Sequence, residues 1–137
     1  MLSMFLSSCA AKKIISTDDC CDIFDEFTNK YVCVFSDNMP QFNDSGYFDM
    51  IHYLSANLNY LSVENVTFTF HLMFVVDIDG KVIGARIVDK NINDLTDNER
   101  NLLKVVESMK PWRPGKCNEL NVPFLIQTRL NISPNLK

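Results

Sequence analysis

A chain of 137 residues, 47% of them hydrophobic, has the size of one globular domain with a core of its own, since single domains cluster near roughly 100 to 150 residues. The formal charge of −4, the pI near 5.0 and the lack of any basic block leave no electrostatic footprint of a nucleic-acid binder, so that class of partner is set aside. No run approaches the roughly 18 to 20 apolar residues of a membrane-spanning helix.

The chain begins "MLSMFLSSCAAKK". Within it Leu6-Ser7-Ser8-Cys9-Ala10 resembles a bacterial lipobox, in which small residues precede a cysteine that is acylated and becomes the first mature residue. A secretory signal also carries a basic n-region and an apolar stretch of about 7 to 15 residues, and Met1 to Leu6 supplies neither. Two readings stand: residues 1–9 as a lipoprotein signal ending at Cys9, or a plain N-terminus. Residues 10–30 are polar and acidic without a sustained period, and read as a tether with at most one helical turn.

"YVCVF", Tyr31 to Phe35, has strand composition. Met39-Pro40 then marks a break, because a residue before proline is pushed out of the helical region. Asp44 or Ser45 suits a helix cap. Tyr47, Ile51, Leu54 and Leu58 recur at the spacing of one helical face, the simplest reading being core. His52 falls beside that stripe as a structural or solvated residue.

The strongest local signal is "FTFHLMFVVDIDGKVIGARIVD". Phe68, Phe70, Leu72, Phe74, Val76 and Ile78 alternate with more polar positions, the period of a strand with one buried face. Asp79-Gly80 reads as the centre of a type I′ turn with positive φ at both positions. Ile83, Ala85 and Ile87 then share a face of the returning strand. The acidic residues around Gly80 do not have EF-hand spacing or its distal Glu.

Thr96 and Glu99 form the ends of a capping box, and Leu102, Val105, Val106 and Met109 make the inward stripe of the helix it opens. Pro111 stops this helix. Pro114-Gly115 fits the centre of a type II turn, and the only tryptophan, Trp112, sits on the corner between the prolines. Val122, Phe124, Ile126, Thr128, Leu130 and Ile132 alternate as a last strand near 121–132, with Pro123 confined to a strand start or an edge.

Cys20, Cys21, Cys33 and Cys117 contain no C-x-x-C pair and no zinc spacing with His52 or His71, so the sequence offers no metal site. One disulfide is permissible in an oxidising compartment, with the pairing open, and Cys33 alone reads as a small buried apolar residue. No nucleophile pattern accompanies either histidine, and neither G-x-S-x-G nor a P-loop occurs. The expectation is a non-enzyme without a cofactor.

Taken in order, a helix, "VVDIDGKVIGARIV", a capped helix and "MKPWRPGKCNELNVPFLIQTRLNI" resemble the C-terminal domain of the TonB family of energy transducers. The upstream "VFSDNMPQF" and "YLSANLNY" resemble the segment leading into that domain. The motifs carrying the resemblance are Asp79 and Gly80, Trp112, Pro114 and Gly115, and the closing alternating strand. Asn43-Asp44-Ser45-Gly46 stands where the family usually has a pair of glycines, and Leu61 where a proline is common. The chain shows neither the transmembrane helix nor the Pro-rich spacer of a motor-coupled TonB.

The resemblance implies an α+β fold over 31–137: a three-stranded antiparallel sheet with two helices packed on one face, plus a short N-terminal strand. It implies a partner peptide added as an extra strand to the last strand, at Phe124, Leu125, Ile126, Gln127, Thr128, Arg129 and Leu130, such as an outer-membrane receptor segment. An exposed sheet edge offers unpaired N–H and C=O groups for this purpose. The chain is then expected in the periplasm or outer membrane of a Gram-negative bacterium, lipid-anchored at Cys9. The alternative is a structural or assembly lipoprotein that self-associates through its sheet edges as a homodimer. On either reading, Tyr31 to Phe35 is expected to pair with an open edge and compete with an incoming strand.

Overall fold

The computed structural model describes residues 20–43, 47–58, 68–109 and 112–132. Cys9, the cap at Asp44 or Ser45, Leu61 and Pro111 lie outside them. In chain order the strands and helices are β1 Ile23–Asp25, β2 Lys30–Val32, β3 Gln41–Phe42, α1 Tyr47–Asn57, β4 Phe68–Val76 and β5 Val82–Ile87. A 3-10 turn at Ile92–Asp94 leads to α2 Asp97–Ser108, β6 Trp112–Arg113, β7 Gly115–Cys117, β8 Leu120–Val122 and β9 Phe124–Ile132.

The α+β class follows directly from these elements. β5, β4 and β9 form one antiparallel sheet in that order, and three two-stranded pairings, β1-β2, β3-β6 and β7-β8, surround it. β4 forms because its alternating side chains divide by environment: Phe70, Leu72, Phe74 and Val76 are buried, while Thr69 is exposed and His71 and Met73 are half-buried. Met50, Leu54 and Leu58 of the α1 segment, and Leu102, Val105, Val106 and Met109 of the α2 segment, join those β4 residues in one core cluster. Both helices therefore cover the same face of the sheet. α2 opens with the anticipated capping box, Thr96 Oγ1 accepting from Glu99 N–H at 3.1 Å and the Glu99 carboxylate accepting from Thr96 N–H at 2.8 Å.

The β4-β5 connection is a hairpin, but not through a type I′ turn. Asp77 N–H donates to Lys81 O and Gly80 N–H to Asp77 O, both near 2.9 Å or shorter. Only Gly80 has positive φ, at +83°, while Asp79 does not. This is a three-residue loop closed by a left-handed glycine. The two-residue turn with positive φ at both positions occurs instead at Asn118 (φ 52°) and Glu119 (φ 68°), between β7 and β8. In β5 the register slips opposite Phe74, with Gly84 at φ +63°. The bulge turns Ile83 out of the core and leaves Val82, Ala85 and Ile87 buried. The alternation of Ile83 with Ala85 and Ile87 read from sequence is thereby corrected: one inserted residue changes the face.

Trp112 is 7% exposed. Its ring lies 5.4 Å from that of Phe42 and 5.6 Å from that of Phe74, and its backbone N–H donates to Gly80 O at 3.3 Å. A Cβ on Gly80 would collide with the Trp112 carbonyl oxygen. The tryptophan thus ties the β4-β5 loop to β3 and to the core. Pro114-Gly115 is not a type II turn: Gly115 lies in β7 without positive φ. Its missing side chain instead admits close neighbours, because a Cβ there would stand 2.7 Å from the Phe124 ring.

The last strand is shorter than the sequence indicates. Asn121 and Val122 belong to β8, paired with β7, and Pro123 breaks the run before β9. The largest departure is the N-terminal region. Where a tether without sheet structure is expected up to residue 30, β1 and β2 form an antiparallel hairpin with Ile23↔Val32 and Asp25↔Lys30 in register. Cys20–Cys117 joins this segment to the remainder, and Cys21–Cys33 closes the hairpin across its base. Cys33 is buried as anticipated, but as a half-cystine.

Candidate partner-binding edge

β9 is the outermost strand of the central sheet. It pairs with β4 along its whole length, from Phe124↔Val76 to Ile132↔Phe68. Phe124, Leu130 and Ile132 are buried and Ile126 and Thr128 half-buried, while Gln127, Arg129 and Asn131 are exposed. The backbone alternates in the same period. Leu125 N–H donates away from β4, to Cys33 O at 2.8 Å, so the N–H and C=O groups of Gln127, Arg129 and Asn131 also point outward. Among the described residues these three have no backbone partner on that side.

The edge is closed at one end. Cys33 makes a parallel bridge to Phe124, its own N–H donating to Pro123 O at 2.9 Å while its C=O accepts from Leu125. The expectation that Tyr31 to Phe35 reaches an open edge is met, but by Cys33 alone. Past Cys33 the chain turns away. The Ser36 hydroxyl donates to Asn38 O at 3.1 Å, and Lys116 N–H donates to the same carbonyl at 2.9 Å, drawing the chain toward β7.

The side chains beside the open part of the edge form a polar row on the face opposite the helices. Gln127 Nε2 and His71 Nε2 are 3.0 Å apart, and Thr69 Oγ1 donates to Asn131 Oδ1 at 2.8 Å. Arg129 lies across from His71 in register and makes no ion pair among the described residues.

The other end of that face is covered by the β1-β2 hairpin. Asp25, 8% exposed, forms an ion pair with Arg86 and accepts from the Thr28 backbone and hydroxyl. Burial pushes the Asp25 carboxyl up, but the hydrogen bonds from Thr28 and Arg86 and the Arg86 charge outweigh it and hold it below the usual carboxylate range. Arg86 also lies 4.7 Å from the centre of the Phe27 ring, and Lys30 Nζ pairs with Asp77 at 2.7 Å. An open groove of about 570 Å³ borders the Cys20–Cys117 bond and is lined by Phe35, Asn38, Lys116 and Glu119 among others, none of them from β9.

Of the residues named from sequence, Gln127 and Arg129 combine an exposed side chain with open backbone. Phe124 packs among Cys21, Cys33, Cys117 and Val122; Ile126, Thr128 and Leu130 lie on the helix-covered face, and Leu125 has its N–H taken. Asn131 belongs with Gln127 and Arg129, and the alternation through Ile132 marks it. Cys33 carried no signal of its role, since a single parallel bridge leaves no local pattern. Among the described residues no group of three or more His, Cys, Asp or Glu is placed to hold a metal, and no helix is long and apolar enough to cross a membrane. No family model, no curated protein and no solved structure matches the chain.

Proposed function

We propose that this chain is a non-catalytic envelope binding module that captures an extended segment of a partner protein by adding it to β9, with a fold resembling the TonB C-terminal domain. The observation that carries the reading is the outward row of unpartnered backbone groups at Gln127, Arg129 and Asn131. Such a row is a ready template for an added strand. The sheet of three antiparallel strands with both helices on one face, in the order the resemblance implies, supports the same reading. The two disulfides support an oxidising compartment outside the cytosol, with Cys9 as the point of lipid attachment.

Self-association through β9 is the second reading, and Arg129 counts against it. A two-fold pairing centred on the open run places Arg129 opposite its own copy, and like charges directly opposite each other destabilise a strand pair. A partner segment with a carboxylate at that position pairs favourably instead. The deciding experiment places a photo-crosslinker at Gln127 in intact cells. A single envelope protein, attached through an extended segment and lost when Arg129→Pro is combined with the probe, is the expected product. A crosslinked dimer of this chain, or no adduct from a folded protein, overturns the reading. Mass spectrometry of the mature chain should show an acylated N-terminal Cys9, and an unmodified chain starting at Met1 removes the anchor.

A further inference from the structure

We propose that the disulfide-held N-terminal strap is a fixed stop in the acceptor edge: Cys33 permanently occupies the strand position beside Phe124, so an added segment cannot extend along β9 past Gln127 toward Phe124. The inference rests on the β-strand addition proposed above and specifies where that addition ends on this side and which register it accepts.

The geometry supplies the stop. Cys33 uses Pro123 O and Leu125 N–H, the backbone groups a longer added strand would need at this end of β9. It is fully buried, and it is held from three sides. Cys21 binds it covalently across the β1-β2 hairpin, Cys20 pins the start of that hairpin to Cys117 in β7, and the Asp25–Arg86 and Lys30–Asp77 pairs fix the hairpin to β5 and to the end of β4. Displacing a free tether costs an incoming strand only the tether's effective concentration. Displacing Cys33 requires bending a cross-linked hairpin whose other contacts stay in place. The stop is therefore structural, whereas an untethered competitor yields to a tighter ligand. Past Cys33, Val34 and Phe35 leave β9 with their side chains exposed, Phe35 by 74%, so Cys33 alone makes the stop.

The probe is a pair of blocked peptides of alternating Thr and Val, about five and about nine residues long, titrated into the full disulfide-bonded chain while amide exchange is followed residue by residue. Both should slow exchange at Gln127, Arg129 and Asn131 and leave Leu125 unchanged. The longer should gain nothing from pairing on the Phe124 side of Gln127, where an unobstructed edge would give about fivefold for each backbone hydrogen bond added. A longer peptide that changes exchange at Leu125 of the intact chain overturns the stop and leaves strand addition standing. Binding of neither peptide overturns strand addition and the stop together. In the Cys21→Ser/Cys33→Ser variant, if exchange in β4 shows it folded, the longer peptide should regain its advantage and reach Leu125. A folded variant in which the longer peptide still leaves Leu125 unchanged also overturns the stop, and Leu125 exchange in the intact chain decides the matter if the variant does not fold.

Discussion

The two faces of the central sheet are covered by different chemistry. On one face α1 and α2 lay Met50, Leu54, Leu102, Val105 and Val106 on Phe70, Leu72, Phe74 and Val76, and apolar burial at roughly 25 cal/mol per Å² stabilises the contact. On the other, the β1-β2 hairpin leaves Phe24, Phe27 and Tyr31 exposed and is held by two disulfides and two ion pairs. The helical face is stabilised by area, and each residue contributes a little. The strap is stabilised by a few discrete bonds and one small buried cluster, Cys21 and Cys33 against Cys117, Val122 and Phe124, so it should come away as a unit while the helical face persists.

That contrast is most exposed to test at the Cys20–Cys117 bond, which spans 97 residues of sequence. In the chain-entropy model a loop of about 100 residues is worth about 4.7 kcal/mol. The Cys20→Ser/Cys117→Ser variant should lose about 4 to 5 kcal/mol of global stability in denaturant unfolding, yet keep slow exchange at Leu72, Phe74 and Val106. Loss of protection throughout, in conditions where the variant is folded, would show that strap and helical face form one cooperative unit.

Trp112 tests the helical face in the same way. Its ring packs on Phe42 and Phe74 and is nearly buried, so Trp112→Ala should cost about 4 kcal/mol. Its indole N–H has no hydrogen-bond partner among the described residues, so Trp112→Phe should cost distinctly less. An equal loss in the two variants would mean that the full indole shape, and not merely an aromatic ring at this place, carries the packing. Next in size is Asp25→Asn. Removing one partner of a shielded ion pair leaves the other charge uncompensated, and about 3 kcal/mol is expected, with Leu125 N–H exchanging faster because the strap loosens.

The same contrast governs what could be read from the sequence. α2 was legible because its stripe and its Thr96/Glu99 box are local and periodic, and β4 because Phe68, Phe70, Leu72 and Phe74 recur at every second position before the fully buried end at Val75 and Val76. The strap was illegible for the opposite reason. Cys20 and Cys117 are far apart in the chain, Asp25 finds Arg86 across 61 positions, and β1 is three residues long, too short for any period to show. The bulge at Gly84 broke the alternation in β5, and the Asp79-Gly80 pair gave the hairpin but not its turn, since a left-handed Gly closes either a two- or a three-residue loop. In β9 the open positions followed from alternation, while the limit at Cys33 depends on a segment roughly ninety positions away meeting it in parallel.

The smallest effect separates the two faces by charge. Asp25 in the strap and Glu99 at the start of α2 both titrate below their ordinary values. For Glu99, burial raises the carboxyl, and the Lys90 and Thr96 hydrogen bonds with the Lys90 charge bring it down further than burial lifts it. A carboxylate with a depressed folded pKa contributes stability that is complete above its unfolded pKa, near 4, and that disappears as pH falls through the lower folded value. Unfolding free energy should therefore decline below about pH 4 in the wild type, and less steeply in Asp25→Asn and in Glu99→Gln. Salt distinguishes them. Lys90 is partly solvated, with 36% of its side chain exposed against 16% for Arg86. Near 1 M salt, where the Debye length is about 3 Å, the Glu99 part of the acid slope should shrink and the Asp25 part persist. Equal salt sensitivity in the two variants would mean that the strap pair is as solvated as the helix pair, and a strap held that loosely could not act as a fixed stop.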